Sequence, residues 1–451
     1  MSNTLPNKIA FSLIAVIVVF TTVAYGAVHQ PVIAIVYSFI AAVLILWAID
    51  CFRTGSVKFN VSYLQLPILG AVIYGFVQTV PFGTLPEIGG VAGIPRTISL
   101  EPFVTQVSTL HFFALLIFFS VALVMFDSAS RLRKVAIFVS VFGFAYAFFA
   151  VLQSVLSPDK IYGIYGRIGM DPFGSFVSRN NFAAWIELAV ALPLGLLFTG
   201  AIAKDKRLLY ITGIALMGIA LVLSGSRGGL VAFLAEIIFL LFLTLANRER
   251  GRSGVRIGLA VGLVLAIVAG SFFVGGDSSL SRLTEDQAAV GSNVSRTHIW
   301  SVTLKVIGDS MPLGVGLGAY AAAYSKFDAN SGLERVEQAH NDYLQVLSDA
   351  GVVGGILGIA FLFLYFRTGF RAVRTENNYR RGLAAGAFAG TFAVLVHSIF
   401  DFPLHTTAIA LLFLVLLAVL VAARSHFEDD VVNEDESQPK SKMRRSSEIR
   451  V

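Results

Sequence analysis

An all-α polytopic membrane protein is the fold class this sequence predicts, and three observations predict it. Hydrophobic residues make up 56% of the 451 and charged residues only 14%, too little charge to solvate a globule of this size. The apolar residues gather in runs of about 20, the length needed to cross a bilayer as a helix. Those runs do not alternate with polar residues as the strands of a barrel would, and helices are the other structure that lipid tolerates. A single cysteine, Cys51, excludes an intrachain disulfide and a thiolate metal cluster.

In chain order the runs predict twelve spans, at 9–27, 31–49, 61–80, 106–126, 135–156, 182–202, 208–224, 228–246, 257–275, 344–366, 383–400 and 406–423. The small residues from Ala24 to Ala27 would suit a signal-peptide cleavage site. The preceding apolar stretch exceeds the usual length of such a region, so we read a retained anchor. Lysine and arginine in the short loops set the orientation. With the N-terminus in the cytoplasm, only ten of the 34 fall outside: Arg96, Lys160, Arg167, Arg179, Arg227, Arg282, Arg296, Lys305, Lys326 and Arg335. Both termini are then cytoplasmic, and residues 276–343 form one large outer loop, with 157–181 the next largest. Residues 1–177 are N-terminal transmembrane helices, 178–424 a membrane domain that includes the loop, and 425–451 a polar tail. That tail, FEDDVVNEDESQPKSKMRRSSEIRV after Ser425 and His426, is too poor in apolar surface to fold, and its basic end suits anionic headgroups.

The outer basic residues break the orientation rule locally, so they mark where chemistry would need positive charge. Arg227 lies in SGSRGG, a turn with almost no loop between two spans. Its glycines permit close approach of a ligand or another backbone, and the serines and amides at the start of the next helix add donors. An arginine held there suits phosphate; the plain alternative is a side chain anchoring the hairpin to headgroups. Arg296 opens SRTHIWSVTLKVI, an amphipathic helix whose apolar positions Ile299, Val302, Leu304 and Ile307 share a face, with Trp300 suited to the interface. MPLGVGLGAY ends it, with Pro312 breaking the helix and Gly314, Gly316 and Gly318 loosening the backbone. No strand–turn–helix surrounds that glycine pattern, so a nucleotide-binding fold is not supported.

His340 sits in QAHNDYLQVLSDAGVVGG, at the mouth of a long apolar run. Its imidazole titrates near neutrality, and can accept a hydroxyl proton or sit charged beside phosphate. Asn341 and Asp342 would orient it or cap the following helix. The competing view is an interfacial histidine that satisfies local backbone groups. HSIFDFPLHTT adds His397, Asp401 and His405 at another outer turn, where Asp401 would orient a histidine or simply close the helix ends around Pro403. Metal binding is poorly supported by this pattern, and no metal is expected. His111, Glu187 and Glu236 fall within or near spans, and Glu236 is the feature that favours a transporter.

Taken in order, SRNNFAAWIEL, SGSRGGLVAF, SRTHIWSVTLKVIGDSMPLGVGLGAY, QAHNDYLQVLSDAGVVGGILG and HSIFDFPLHTTAIALLF resemble the O-antigen ligase superfamily over about 178–417. That superfamily holds lipopolysaccharide O-antigen ligases, polysaccharide polymerases and some protein O-oligosaccharyltransferases. The resemblance implies a GT-C-like glycosyltransferase of the bacterial inner membrane, multi-pass, working at the periplasmic face without cofactor, metal or nucleic acid. It implies an undecaprenyl-diphosphate-linked glycan as donor and a glycan or lipid A-core hydroxyl as acceptor. Membrane lipids and other polysaccharide-assembly proteins are its implied neighbours. Arg227 and Arg296 match the arginines of the family's diphosphate site, with Arg179 beside them, and His340 matches its essential histidine. Asn341, Asp342, His397 and Asp401 would support that set. One departure stands out: Asn181 occupies a place where many relatives carry histidine. The rival class is a lipid-linked oligosaccharide flippase or polysaccharide exporter, which would use basic sites without transferring sugar. Such proteins are usually built on repeated halves, and no internal repeat is visible here.

Overall fold

The computed structural model describes residues 4–57, 59–87, 89–166, 170–245, 254, 256–265, 267–269, 295–329 and 335–424. These residues form helices, with isolated β-bridges and no strands among them. In chain order they are α1 (Leu5–Val23), α2 (Gln30–Thr54), α3 (Gln65–Thr79), α4 (Pro102–Met125), α5 (Ala129–Leu156), α6 (Arg179–Phe198), α7 (Arg207–Leu223) and α8 (Arg227–Leu245). Then follow α9 (Arg256–Ala269), α10 (Arg296–Ser310), α11 (Tyr320–Phe327), α12 (Asp342–Ala372), α13 (Asn378–His397) and α14 (Thr407–Ala422).

A helix lies under each of the twelve predicted stretches. Eight are long and apolar enough to cross a membrane, and α3, α9 and α14 are shorter apolar helices. The chain is a multi-pass membrane protein: the outward faces carry large apolar side chains such as Ile45, Leu152 and Phe363, as lipid contact requires. The helix starts are written in the sequence. Ser128, Ser178, Ser295, Asn341 and Asn377 each cap a helix by accepting from a first-turn amide, and proline sits in the first turn of α1, α2 and α4.

At the centre stands α6, whose apolar window is wholly buried among α5, α7, α8, α13 and α14. It lies almost backbone to backbone on α13. A methyl group added at Gly386 would come within 2.3 Å of the Ala191 carbonyl oxygen, so only glycine allows the contact.

The segment from α10 to the start of α12 packs as a small lobe. Ile299, Val302, Tyr320 and Tyr324 form its core, with Trp300 against them. One expectation needs correcting here. Leu304 is exposed, and Val306 takes the buried position instead, because the helix rotates its stripe toward Val315 and Ala319. Trp300 packs against this lobe's core.

The glycine-rich run is likewise not loose. Gly314, Gly316 and Gly318 all have positive φ and dock on a kink in α12 at Gly351, itself at φ 54°. Val315 N donates to Ser348 O (2.9 Å), Gly316 N to Asp349 O (3.0 Å) and Val352 N to Pro312 O (2.9 Å). From α3, the Gln78 amide donates to Asp349 O (2.9 Å) and Leu313 O (3.3 Å), while its oxygen accepts from Leu317 N (3.1 Å). The run is a clamp that joins the lobe to α3 and α12. The predicted tail, Arg167 and Arg282 lie outside the described residues.

Candidate functional site

The starts of α6, α8, α12 and α14 and the end of α13 meet at one end of the bundle, and the polar motifs meet there with them. Asn341 caps α12 through Tyr343 N and Leu344 N (3.0 Å each), and its amide donates to Ile399 O (2.9 Å). Asp342 N donates to Ser398 O (3.0 Å), and Ser398 Oγ donates to Asp342 Oδ2 (2.7 Å). The mouth of α12 is thereby stitched to the α13–α14 turn. His340 immediately precedes this stitch in the left-handed region, at φ 50°, a conformation rare for a residue with a side chain and characteristic of a constrained site.

Asp401 is the hub. Its Oδ1 lies 3.1 Å from His340 Nδ1 and accepts from Phe402 N (3.0 Å). Its Oδ2 accepts from Arg296 Nη2 (3.2 Å) and from the Asn180 amide (2.5 Å). The Asn180 oxygen in turn accepts from Ser226 Oγ (2.8 Å), which also caps Gly229 N at the start of α8 (3.1 Å). Burial would raise the Asp401 carboxyl, but the His340 hydrogen bond and the nearby Arg296, His340 and His397 hold it at about 2. It is a carboxylate at any working pH.

Of the predicted site residues, the fold thus joins His340, Arg296 and Asp401 directly. Arg227 stands at the first position of α8, exposed, one residue beyond the Ser226 that is tied to Asn180. The serines of its turn are committed within the protein: Ser224 and Ser226 are buried, and Ser224 Oγ donates to Leu221 O (2.6 Å). The glycines after Arg227 make room for protein rather than ligand, since a methyl group at Gly229 would sit 2.6 Å from Ala183 Cβ. Arg179 is ion-paired with Asp171 (2.7 Å). His397 turns into the core, its Nδ1 2.9 Å from Glu187 Oε1, and pins α13 to α6. Glu236 is fully buried in α8, with no hydrogen-bond partner for either oxygen among the described residues.

A cavity of about 840 Å³ opens beside the hub. Its polar part takes in Asn181, His340, Asp342, Gln345, Asp349 and His405; its apolar part runs between α2, α3, α4, α12 and α14, past Ile68, Leu115, Leu357, Phe361 and Phe413. His405 Nδ1 lies 2.8 Å from Asp342 Oδ1. Burial lowers the His405 imidazole, but the Asp342 hydrogen bond and charge, with Asp349 beyond, raise it overall.

Asn180 and Asp349 escaped the sequence reading. Asn180 had only an adjacent-asparagine pattern to announce it, and Asp349 looked like one polar residue in an apolar helix. Among the described residues no group of three or more histidine, cysteine or carboxylate side chains is arranged to hold a metal. Residues 212–359 match the family model described as O-Antigen ligase. No curated protein matches the chain.

Proposed function

As a member of the O-antigen ligase superfamily, this chain is, we propose, a glycosyltransferase that moves a glycan from a polyprenyl-diphosphate carrier to an acceptor hydroxyl. The observation that carries the proposal is Asp401, which ties the Arg296 guanidinium to the imidazole of His340, itself on the lining of a cavity with extensive apolar walls. A substrate with a lipid tail, a diphosphate and a sugar needs an apolar surface, a cation and a hydroxyl-binding group close together. We take this end of the bundle to be periplasmic and the twelve helices under the predicted stretches to be spans, as the bias of the basic residues indicates. Both termini are then cytoplasmic and the membrane is the inner one. The division into an N-terminal helical part (1–177), a ligase-like domain (178–424) and a tail follows the same scheme.

The chemistry follows from the geometry. With Nδ1–H held by the Asp401 carboxylate, Nε2 of His340 is the ring nitrogen left to accept a proton. The acceptor oxygen forms its bond to the anomeric carbon as its proton passes to Nε2. The bond from that carbon to the diphosphate oxygen breaks, and the diphosphate leaves with the electron pair. Attack opposite the leaving group inverts the anomeric centre. Arg296 and Arg227 neutralise the charge that develops on the diphosphate, each contact supplying about 3 kcal/mol by analogy with oxyanion stabilisation. Arg179, held by Asp171, supports the same anion from the start of α6. A diphosphate is already a good leaving group, so this scheme uses neither metal nor cofactor.

The test is transfer by purified protein in nanodiscs, supplied with undecaprenyl-diphosphate-linked repeat units. A ladder of longer lipid-linked glycans with no other acceptor identifies a polymerase, and product only on adding lipid A-core identifies a ligase. Silence with both refutes glycosyl transfer and returns the chain to the transport class.

A further inference from the structure

The cavity holds a second imidazole that the scheme above does not use. His405 lies on the same α13–α14 turn as Asp401, and it too is tethered through Nδ1 to a buried carboxylate, Asp342. The ring of Phe402 contacts both imidazoles edge-on, with centroids 4.8 Å from His340 and 6.2 Å from His405. The two therefore share one wall, and both face the cavity.

Arg296 and Asp401 serve the His340 side. Beside His405 lie the carboxylates of Asp342 and Asp349, and Glu337 and Arg335 line the same cavity. Carboxylates accept hydrogen bonds from hydroxyls. Asp349 is fixed by Gly318 N (2.9 Å) and the Gln345 amide (3.1 Å), so it is rigidly presented. Gln338 also lines the cavity, and its side-chain oxygen is buried without a hydrogen-bond partner among the described residues. A buried acceptor left open costs free energy unless something donates to it. Polyhydroxylated rings donate many such bonds, and Phe402 adds an aromatic surface beside them.

We propose that His405, backed by Asp342, with Asp349 nearby and Gln338 on the lining of the same cavity, is a carbohydrate subsite that seats the rings of the acceptor glycan in the same cavity as His340. The proposal rests on the glycosyl-transfer function given above. Arg296, tied to His340 through Asp401, is left to the diphosphate, and an acceptor seated at His405 presents its hydroxyl to His340 within the same cavity. His405 in this scheme binds and orients sugar, and takes no proton from the reacting hydroxyl.

Two binding titrations on the full-length protein in nanodiscs test it. One uses the free repeat-unit oligosaccharide, released from its lipid by mild acid and followed by ligand-observed NMR; the other uses undecaprenyl diphosphate alone. His405→Ala should weaken oligosaccharide binding at least tenfold and leave undecaprenyl diphosphate unchanged, the second ligand also certifying the fold. His405→Gln, which keeps a donor and much of the volume, should recover part of the loss. Failure of the wild type to bind the oligosaccharide, or unchanged binding by His405→Ala, overturns the subsite. If His405→Ala weakens both ligands, His405→Gln decides, and loss of both again makes the residue structural and overturns the proposal. Arg296→Ala separates the two ideas. If it leaves undecaprenyl diphosphate binding untouched while His405→Ala loses the oligosaccharide, the diphosphate clamp falls and the subsite stands.

Discussion

Replacing Asp401 by asparagine perturbs the hub with almost no change of volume. Each carboxylate oxygen faces two groups: Oδ1 faces His340 Nδ1 and Phe402 N, and Oδ2 faces Arg296 Nη2 and the Asn180 amide. Whichever way the new amide turns, its NH₂ group opposes donors that a carboxylate accepted. Hydrogen bonds to charged groups contribute about 1.5–3 kcal/mol each. The amide oxygen can serve only one side, so either the Arg296 or the His340 interaction is lost, which should raise the barrier by roughly 1.5–3 kcal/mol, or about 10–10² in kcat. The same change in a Ser–His–Asp triad costs about 10⁴, by releasing the wrong tautomer. The assay is single-turnover transfer from lipid-linked repeat units, run as a double-mutant cycle with His340→Ala. If Asp401 acts through His340, the double mutant should be scarcely slower than the worse single mutant. Activity within about threefold of wild type, or strictly additive losses, would falsify the dyad. A pH series adds a second check. The Asp401 pKa lies below its ordinary value of 3.8, at about 2. Its contribution to stability is thus complete above pH 3.8 and disappears as pH falls toward 2. The gap in thermal stability between wild type and Asp401→Asn should be constant near neutrality and shrink only on that acid side.

Four further outcomes follow from the same geometry. Asn180→Ala should lower turnover about tenfold by loosening both Asp401 and the Ser226 turn, and Asn180→Asp should be worse, since it sets a second carboxylate against the first; equal effects in a transfer assay would contradict this. Arg227→Ala and Arg296→Ala should each cost about 10²-fold in transfer, with normal membrane insertion; near-normal turnover in either removes that arginine from the clamp. Gly351→Ala should destabilise the protein by upwards of about 1–3 kcal/mol, because φ is 54° and the added methyl would sit 2.2 Å from Pro312 O; an unchanged melting temperature would show that the clamp yields. EDTA should leave transfer unaltered, and strict dependence on a divalent ion would discard the mechanism.

The helices were legible because each physical signal for them is local. Apolar runs, serine and asparagine caps and first-turn prolines lie within a few residues of what they specify. His340, Arg296 and Arg227 were legible as candidates because polar groups at the ends of apolar runs are conspicuous. Their mutual arrangement was not. Asp401 is 61 residues from His340, 105 from Arg296 and 221 from Asn180 in the chain. No periodicity links such positions, and a turn containing histidine, aspartate and proline reads equally well as a helix-closing device. The glycine-rich run misled for a related reason. Glycine reports that a Cβ is unwelcome, and cannot say whether freedom or tight docking is the cause. Here it is docking: Gly314 lies against Asp349 and Gly351, Gly316 against Ser99 and Thr105, and Gly318 against Ser108.

That distribution bears on how the site works. The family match ends at 359, so it contains Arg227, Arg296 and His340 but neither Asn180 nor Asp401. Three of the groups proposed to touch substrate lie inside it; Arg179 and His405, and the groups that hold the set in place, lie outside it on α6 and on the α13–α14 turn. His340 is fixed by the ends of long helices: Asn341 and Asp342 bond to Ile399 and Ser398, and Asp401 follows three residues after the second of these. Arg296 arrives separately, on the first turn of α10, and reaches the hub through a single side-chain contact at 3.2 Å. The imidazole and its carboxylate thus form one rigid unit, while the guanidinium is set on a lobe clamped to the bundle through the glycine run. Under the proposed function, a diphosphate would compete for Arg296 without disturbing His340, because Asn180 and Phe402 N still hold Asp401 if the arginine turns away. Binding the donor and orienting the base would then be separable. Arg296→Ala should then alter the affinity for the donor far more than the pH at which the remaining turnover is half-maximal, while changes at Asp401 should do the reverse.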